Sequence, residues 1–216
     1  VVIDANSNDG SLEIIKSKIS EKDVLISEPD KGIYDALNKG IKNSTGEIVA
    51  FMHSDDFYHG NNIISQVASI FENNKVDVVY GDATFFLKNN SKNLIRSYIS
   101  GDYSKKRLAW GFMPAHPSMF VRRNIYDEVG YFKTSYKIAA DYEFLCRLIS
   151  RKKLKLYYLK KKLVSMQIGG ISTSGLKNTI ILNKEVKRAC LENGIYTNYL
   201  MLISKYPAKM LGFLNK

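Results

Sequence analysis

Short apolar runs alternate with stretches of helical spacing through the first eighty residues. Residues 1–3, 24–27, 48–52 and 76–80 have strand character. Between them, residues 11–19 place Leu12, Ile15 and Ile19 on one helical face, and residues 31–43 do the same with Ile33, Leu37 and Ile41. Residues 62–71 form a third helical stretch, and Glu28-Pro29-Asp30 and Asn43-Ser44-Thr45-Gly46 act as breakers. Alternation in this order predicts an α/β fold: a mostly parallel sheet with flanking helices.

The alternation stops after Tyr80. Residues 83–87 and 93–99 predict a hairpin around Lys88-Asn89-Asn90-Ser91, and residues 105–110 are ambiguous. A short strand at 118–121, helices at 123–129 and 141–150, and strands at 154–159 and 163–167 follow. A long helix is expected over 173–193, then one or two amphipathic turns over 199–214, broken near Pro207. This divides the chain into a domain over 1–172 and a basic helical C-terminal extension over 173–216.

Charge sharpens that division. Residues 151–216 carry 14 Lys/Arg and two acids, whereas residues 1–150 carry 18 basic and 19 acidic residues. A basic last part points to an anionic partner, a lipid surface or a nucleic acid, though a solvated basic face explains it equally. Hydrophobic residues at 45% exclude wholesale disorder. Cys146 and Cys190 belong to no CxxC pair, so reduced thiols in a cytoplasmic setting are expected. The opening Val1-Val2-Ile3-Asp4 is already strand-like and lacks Met, which suggests a natural N-terminus upstream.

The chemistry concentrates at strand ends. Residues 46–52 lead into His53-Ser54-Asp55-Asp56, two adjacent carboxylates where open α/β sheets bind ligands. Such a pair suits Mg²⁺ or Mn²⁺, which share one or two carboxylates with substrate phosphates. Asp4 and Asp82 end neighbouring strands and can accept hydrogen bonds from a nucleoside or sugar hydroxyl. Lys31 heads a helix whose N-terminal amides also favour anions. Each has a structural alternative, since Asp is a common turn and cap residue and Lys a common surface one.

Several segments, in order, carry a resemblance. They are Val2-Ile3-Asp4-Ala5-Asn6-Ser7-Asn8-Asp9-Gly10, Glu28-Pro29-Asp30-Lys31-Gly32-Ile33-Tyr34-Asp35-Ala36-Leu37-Asn38-Lys39-Gly40 and Ser54-Asp55-Asp56. Tyr80-Gly81-Asp82, Ala115-His116-Pro117-Ser118, Ala140-Asp141-Tyr142-Glu143 and Gly169-Gly170-Ile171-Ser172-Thr173 continue it. Together they resemble the family 2 glycosyltransferases of the GT-A fold, a Rossmann-like nucleotide-diphospho-sugar transferase fold. The similarity is greatest to bacterial members that build capsule, exopolysaccharide and lipopolysaccharide. The family's first strand and its Asn-bearing loop are missing here, and Ala5 stands where many relatives carry an acid.

The resemblance implies inverting transfer of a sugar from a nucleotide-diphosphate donor to a saccharide or lipid-linked acceptor. It implies Asp55 and Asp56 as metal ligands and Asp141 as general base, with Glu143 as runner-up. Asp4, Lys31, Asp55, Asp82 and His116 would contact the nucleotide-sugar, and Gly169–Thr173 would close over it. Trp110, Phe112 and Met113 are candidates for an acceptor platform or for the core. The basic tail would rest peripherally on the inner leaflet, with Tyr199, Leu200, Leu202, Ile203, Met210, Leu211 and Phe213 dipping in. A nucleotidyltransferase would need a glycine- and basic-rich phosphate loop, which the chain lacks. A nucleic-acid module would leave the strand-end acids unexplained, so no nucleic-acid partner is expected.

Overall fold

The computed structural model describes residues 1–87, 90–151, 154–170 and 175–206. Two short parallel strands come first, β1 (Val2–Asp4) and β2 (Leu25–Ser27), with α1 (Ser11–Lys18) between them. α2 (Ile33–Asn43) packs back on β1. Then come β3 (Ile48–Ala50), β4 (Phe57–Tyr58), α3 (Ile63–Asn73), β5 (Val78–Leu87) and β6 (Asn90–Tyr98). α4 (Lys105–Ala109), a 3₁₀ turn at His116–Ser118, β7 (Met119–Arg122) and α5 (Arg123–Val129) follow. The chain continues through α6 (Ala140–Arg151), β8 (Leu156–Gln167), α7 (Gly175–Glu192) and α8 (Tyr199–Ile203).

The strands form a pair, β1-β2, and a six-stranded sheet ordered β3-β7-β5-β8-β4, with β6 also on β5. The α/β class holds, but the expected mostly parallel sheet is mixed. β1–β2 and β5–β8 run parallel, whereas β3–β7, β5–β7, β5–β6 and β4–β8 run antiparallel. Local periodicity identifies strands without naming their neighbours. Here β7, which comes after the alternation ends, inserts between β3 and β5.

Two further expectations change for a shared reason. The strands predicted at 154–159 and 163–167 are one strand, and Asp82 lies inside β5 instead of ending a strand. The lysines at 160–162 interrupt the apolar pattern, but they are exposed at an irregularity where Leu159 pairs Gly81 and Lys162 pairs Asp82. Gly81 makes the crossing feasible: a Cβ there would lie 2.5 Å from Leu163 Cγ and 2.8 Å from the Lys161 carbonyl oxygen.

Alternate residues of the central strands feed two cores, as the period of two requires. Val78, Tyr80, Met119 and Val121 join one core with Tyr34, Tyr126, Phe144 and Leu148. Val79 and Phe120 join the other with Val67 and Phe71 of α3. Val186, Ala189 and Cys190 of α7 and Leu202 of α8 belong to the first core. Leu202 is fully buried, so it is not available to a membrane as expected. Both cysteines are buried free thiols. No helix of the described residues is long and apolar enough to cross a membrane. The expected hairpin turn at Lys88-Asn89, the loop residues Ile171, Ser172 and Thr173, the break at Pro207, and Met210, Leu211 and Phe213 lie outside the described residues.

Candidate active site

The site is assembled from α2, the β3–β4 loop, the 3₁₀ turn and the start of α6. Gly32, at φ 112°, takes a conformation that L side chains rarely adopt and turns the chain into α2. Asp30 accepts from the Gly32 N–H (2.8 Å) and Asp35 from the Lys31 N–H (3.1 Å), which caps the helix start. The helix then buries Tyr34, whose hydroxyl donates to Asp141 Oδ1 at 3.2 Å.

Asp141 stands in the first turn of α6, and the Tyr142 N–H also donates to its Oδ1 at 2.8 Å. The approach to α6 is held by Glu185 of α7, which accepts from the N–H groups of Lys137, Ile138 and Ala139 at 2.7, 2.9 and 2.9 Å. Burial raises the Asp141 carboxyl above the usual range, against the pull of these hydrogen bonds and of His53. Glu143, the alternative base, is fully buried and ion-paired to Lys133 (2.9 Å) and Arg147 (3.0 Å). It anchors α6 and does not face the site.

The Asp pair follows β3 in a turn closed by the Asp56 N–H on the His53 carbonyl at 3.1 Å. Asp55 is exposed, while Asp56 is half-buried and accepts from the Gln167 N–H at 3.2 Å, at the end of β8. Burial lifts the Asp56 carboxyl, the negative charge of Asp55 adds to that, and His53 opposes it. A second charge is therefore uncomfortable at Asp56, and a cation would relieve it. Two adjacent oxygen donors fit a hard divalent ion completed by phosphate oxygens. Among the described residues, no group of three or more His, Cys, Asp or Glu side chains gathers to hold a metal unaided.

His53 adjoins the Asp pair in sequence, and its ring lies 6.3 Å from that of His116. His116 stacks on Phe51 (5.1 Å) and meets Phe132 edge-on (5.4 Å). Burial, reinforced by His53, pushes its pKa down to about 3, so it is neutral at physiological pH and offers hydrogen bonds without charge.

The remaining candidates sit at the end of β1, at the head of α2 and within β5. Asp4 ends β1, nearly buried, where the Ser27 hydroxyl (2.6 Å) and Ser7 N–H (3.0 Å) both donate to Oδ2. Those donors, Ser27 first, hold its carboxyl below the usual range. Lys31 is exposed at the head of α2, with no contact to the Asp pair among the described residues. Asp82 is buried in β5, where Oδ1 accepts from the Ser100 N–H (2.8 Å) and the Tyr158 hydroxyl (2.7 Å). Its carboxylate joins β5 to Tyr158 of β8 and to Ser100. Nothing in the sequence marks Tyr34 as a partner of Asp141, 107 positions away. Only the adjacency of His53 to the Asp pair hinted at its place.

The sequence pattern of glycosyl transferase family 2 matches residues 1–130. A PGL/p-HBAD biosynthesis glycosyltransferase of Mycobacterium bovis (strain BCG / Pasteur 1173P2) is 27% identical over 212 residues, covering 96% of this chain and 78% of the relative. Glycosyltransferase AglE of Haloferax volcanii is 29% identical over 136 residues, covering 61% of this chain and 44% of AglE. Among solved structures, S. aureus TarS 1-349 in complex with UDP-GlcNAc superposes with TM-score 0.64 at 16% identity. That likeness covers 93% of this chain and 60% of the TarS chain. The mannosyltransferase PcManGT from Pyrobaculum calidifontis, in complex with GDP-Man and Mn2+, gives TM-score 0.57 at 14% identity, covering 87% of this chain and 54% of PcManGT. These likenesses establish a GT-A-type fold, of which this chain spans about 60% of the TarS length. With more than half of its residues matched by the family pattern, the chain belongs to glycosyl transferase family 2.

Proposed function

We propose that this chain transfers a sugar from a nucleotide-diphosphate donor to an acceptor hydroxyl, inverting the anomeric carbon, in the synthesis of bacterial surface saccharides or glycolipids. The observation that carries the proposal is the Asp141 carboxyl in the first turn of α6, held on Oδ1 by the hydroxyl of Tyr34, 107 positions away, and by the Tyr142 N–H. Complexes of the structural relatives with UDP-GlcNAc and with GDP-Man support the donor class, and the PGL/p-HBAD biosynthesis glycosyltransferase of Mycobacterium bovis supports a biosynthetic role.

Asp55 and Asp56 would hold Mg²⁺ or Mn²⁺ against the diphosphate. When bound, the ion neutralises the charge growing on that leaving group. The remaining work falls to the chain. The Asp141 carboxylate takes the proton from the acceptor hydroxyl as its oxygen bonds the anomeric carbon and the bond to the diphosphate breaks. Tyr34 and the Tyr142 N–H fix Oδ1, leaving Oδ2 for that hydroxyl. His116, neutral, orients a sugar or acceptor by hydrogen bonding. Asp4 supplies an acceptor for the nucleoside, and Lys31 a cation at the head of α2.

Turnover of nucleotide-sugars in the presence of Mn²⁺ tests the proposal with wild type, Asp55→Ala and Asp141→Asn. A chelator-sensitive rate that drops by about 10²-fold or more in both variants is expected. Full activity in Asp141→Asn, or indifference to chelation, would remove the assigned roles.

A further inference from the structure

The outer face of α7 is largely exposed. At 100° per residue, Leu176, Ile180, Lys184, Lys187 and Leu191 fall on one stripe. Leu176 is 84% exposed, Ile180 56% and Leu191 53%. The inner face carries Val186, Ala189 and Cys190 into the core, so the stripe is not a product of loose packing.

α8 extends the same surface. Leu200 is 82% exposed and Ile203 54%, while Leu202 turns inward. The Lys187 ammonium sits 4.4 Å from the centre of the Tyr199 ring, which joins the two helices on this side. Both acids of α7 point elsewhere. Glu185 is spent on the N–H groups of residues 137–139, and Glu192 pairs with Lys133 (2.9 Å) and Arg188 (3.4 Å). The surface is therefore apolar and cationic, with no carboxylate in its stripe.

We propose that the outer faces of α7 and α8 dock on an anionic bilayer surface. Leucine and isoleucine at these exposures offer nothing to a nucleic-acid phosphate, and a second copy would set lysines against lysines. A bilayer accepts both kinds of group: Leu, Ile and Tyr enter the headgroup boundary while lysine stems bury and their ammonium groups stay among anionic headgroups. α7 is the next element after β8 in chain order, so docking would hold the sheet close to the membrane.

Co-sedimentation of the whole chain with vesicles, read without turnover, keeps this separate from the sugar-transfer proposal. Phosphatidylcholine vesicles are compared with vesicles containing phosphatidylglycerol at an ionic strength of about 0.15 M. Wild type should partition at least about tenfold more strongly to the anionic vesicles. Leu176→Glu/Ile180→Glu/Leu200→Glu and, separately, Lys184→Glu/Lys187→Glu should each lose about tenfold or more, with unchanged circular dichroism and melting. Leu176, Ile180, Lys184 and Leu200 are exposed, and Lys187 is half-buried against Tyr199, so Lys184→Glu alone is the charge variant to read if the lysine pair melts lower. Equal binding by wild type and variants overturns the proposal. So does absence of wild-type binding, a concentration-dependent dimer abolished by the leucine variant, or RNA binding through this face.

Discussion

Tyr34 and Asp141 stand 107 positions apart and meet through one hydrogen bond. That bond favours the ionised carboxylate, while burial, the larger influence, opposes ionisation. Tyr34→Phe removes the favourable part, so Asp141 would keep its proton to higher pH and the acid limb of kcat/KM would move upward. A loss of about tenfold on the acid side, shrinking toward alkaline pH, is expected from a hydrogen bond to a charged group; a uniform loss at every pH would reduce Tyr34 to packing. Asp141 also bears on stability. Its raised carboxyl means the folded state binds more protons than the unfolded between the ordinary and the raised pKa, so stability falls as pH rises through that window. Above that window the ionised group is a liability. Asp141→Asn, whose amide oxygen still accepts from Tyr34 and Tyr142, should melt higher than wild type above the window, with the gap closing toward acid pH. A variant that melts lower would contradict this account.

At the scale of elements, the long β5–β8 pairing organises the sheet. β5 pairs β7 with its first half and β6 with its second, while β8 runs parallel along its other edge. The irregularity opposite Gly81 is the tight spot in that pairing. Gly81→Ala would drive a methyl into Leu163 and the Lys161 carbonyl, and only the Leu163 side chain can give way. Overpacking of this kind costs about 1–3 kcal/mol. Urea unfolding should show a lower midpoint with an unchanged slope; an unchanged midpoint would mean the strand relaxes freely there.

The whole molecule joins a two-stranded unit to a larger sheet. Asp4 ties the end of β1 to Ser27 of β2, and Asp35 caps the head of α2. Hydrogen bonds from Ser27 and Ser7 hold Asp4, and that from the Lys31 N–H holds Asp35, below the usual carboxylate range. For such groups, stability is present above the unfolded pKa of about 4 and is lost as pH falls through the folded value. Protection against amide exchange, corrected for the intrinsic pH dependence of exchange, should therefore fall on acidification in β1, β2 and α2 before it falls in β5 and β8. Simultaneous opening of all five elements would show that the smaller sheet has no separate acid sensitivity.

The α/β class and the strand delivering Asp55 and Asp56 were legible in the chain, as were α2 with its Gly32 start, α6 with Asp141, and the family. All of these rest on local periodicity, turn chemistry and ordered motifs, which short segments encode by themselves. Pairing was not legible. Nothing in residues 119–122 tells that they insert between β3 and β5, and the lysines at 160–162 disguised one strand as two. Nor could composition separate Asp82, committed to Ser100 and Tyr158, from the carboxylates that face the site, or Glu143, locked by Lys133 and Arg147, from Asp141 two positions away. The sequence by itself determined which side chains were available and which segments could be strands or helices. Only the tertiary structure decided which internal partners each carboxylate meets, because hydrogen bonding and burial depend on neighbours that come from distant parts of the chain.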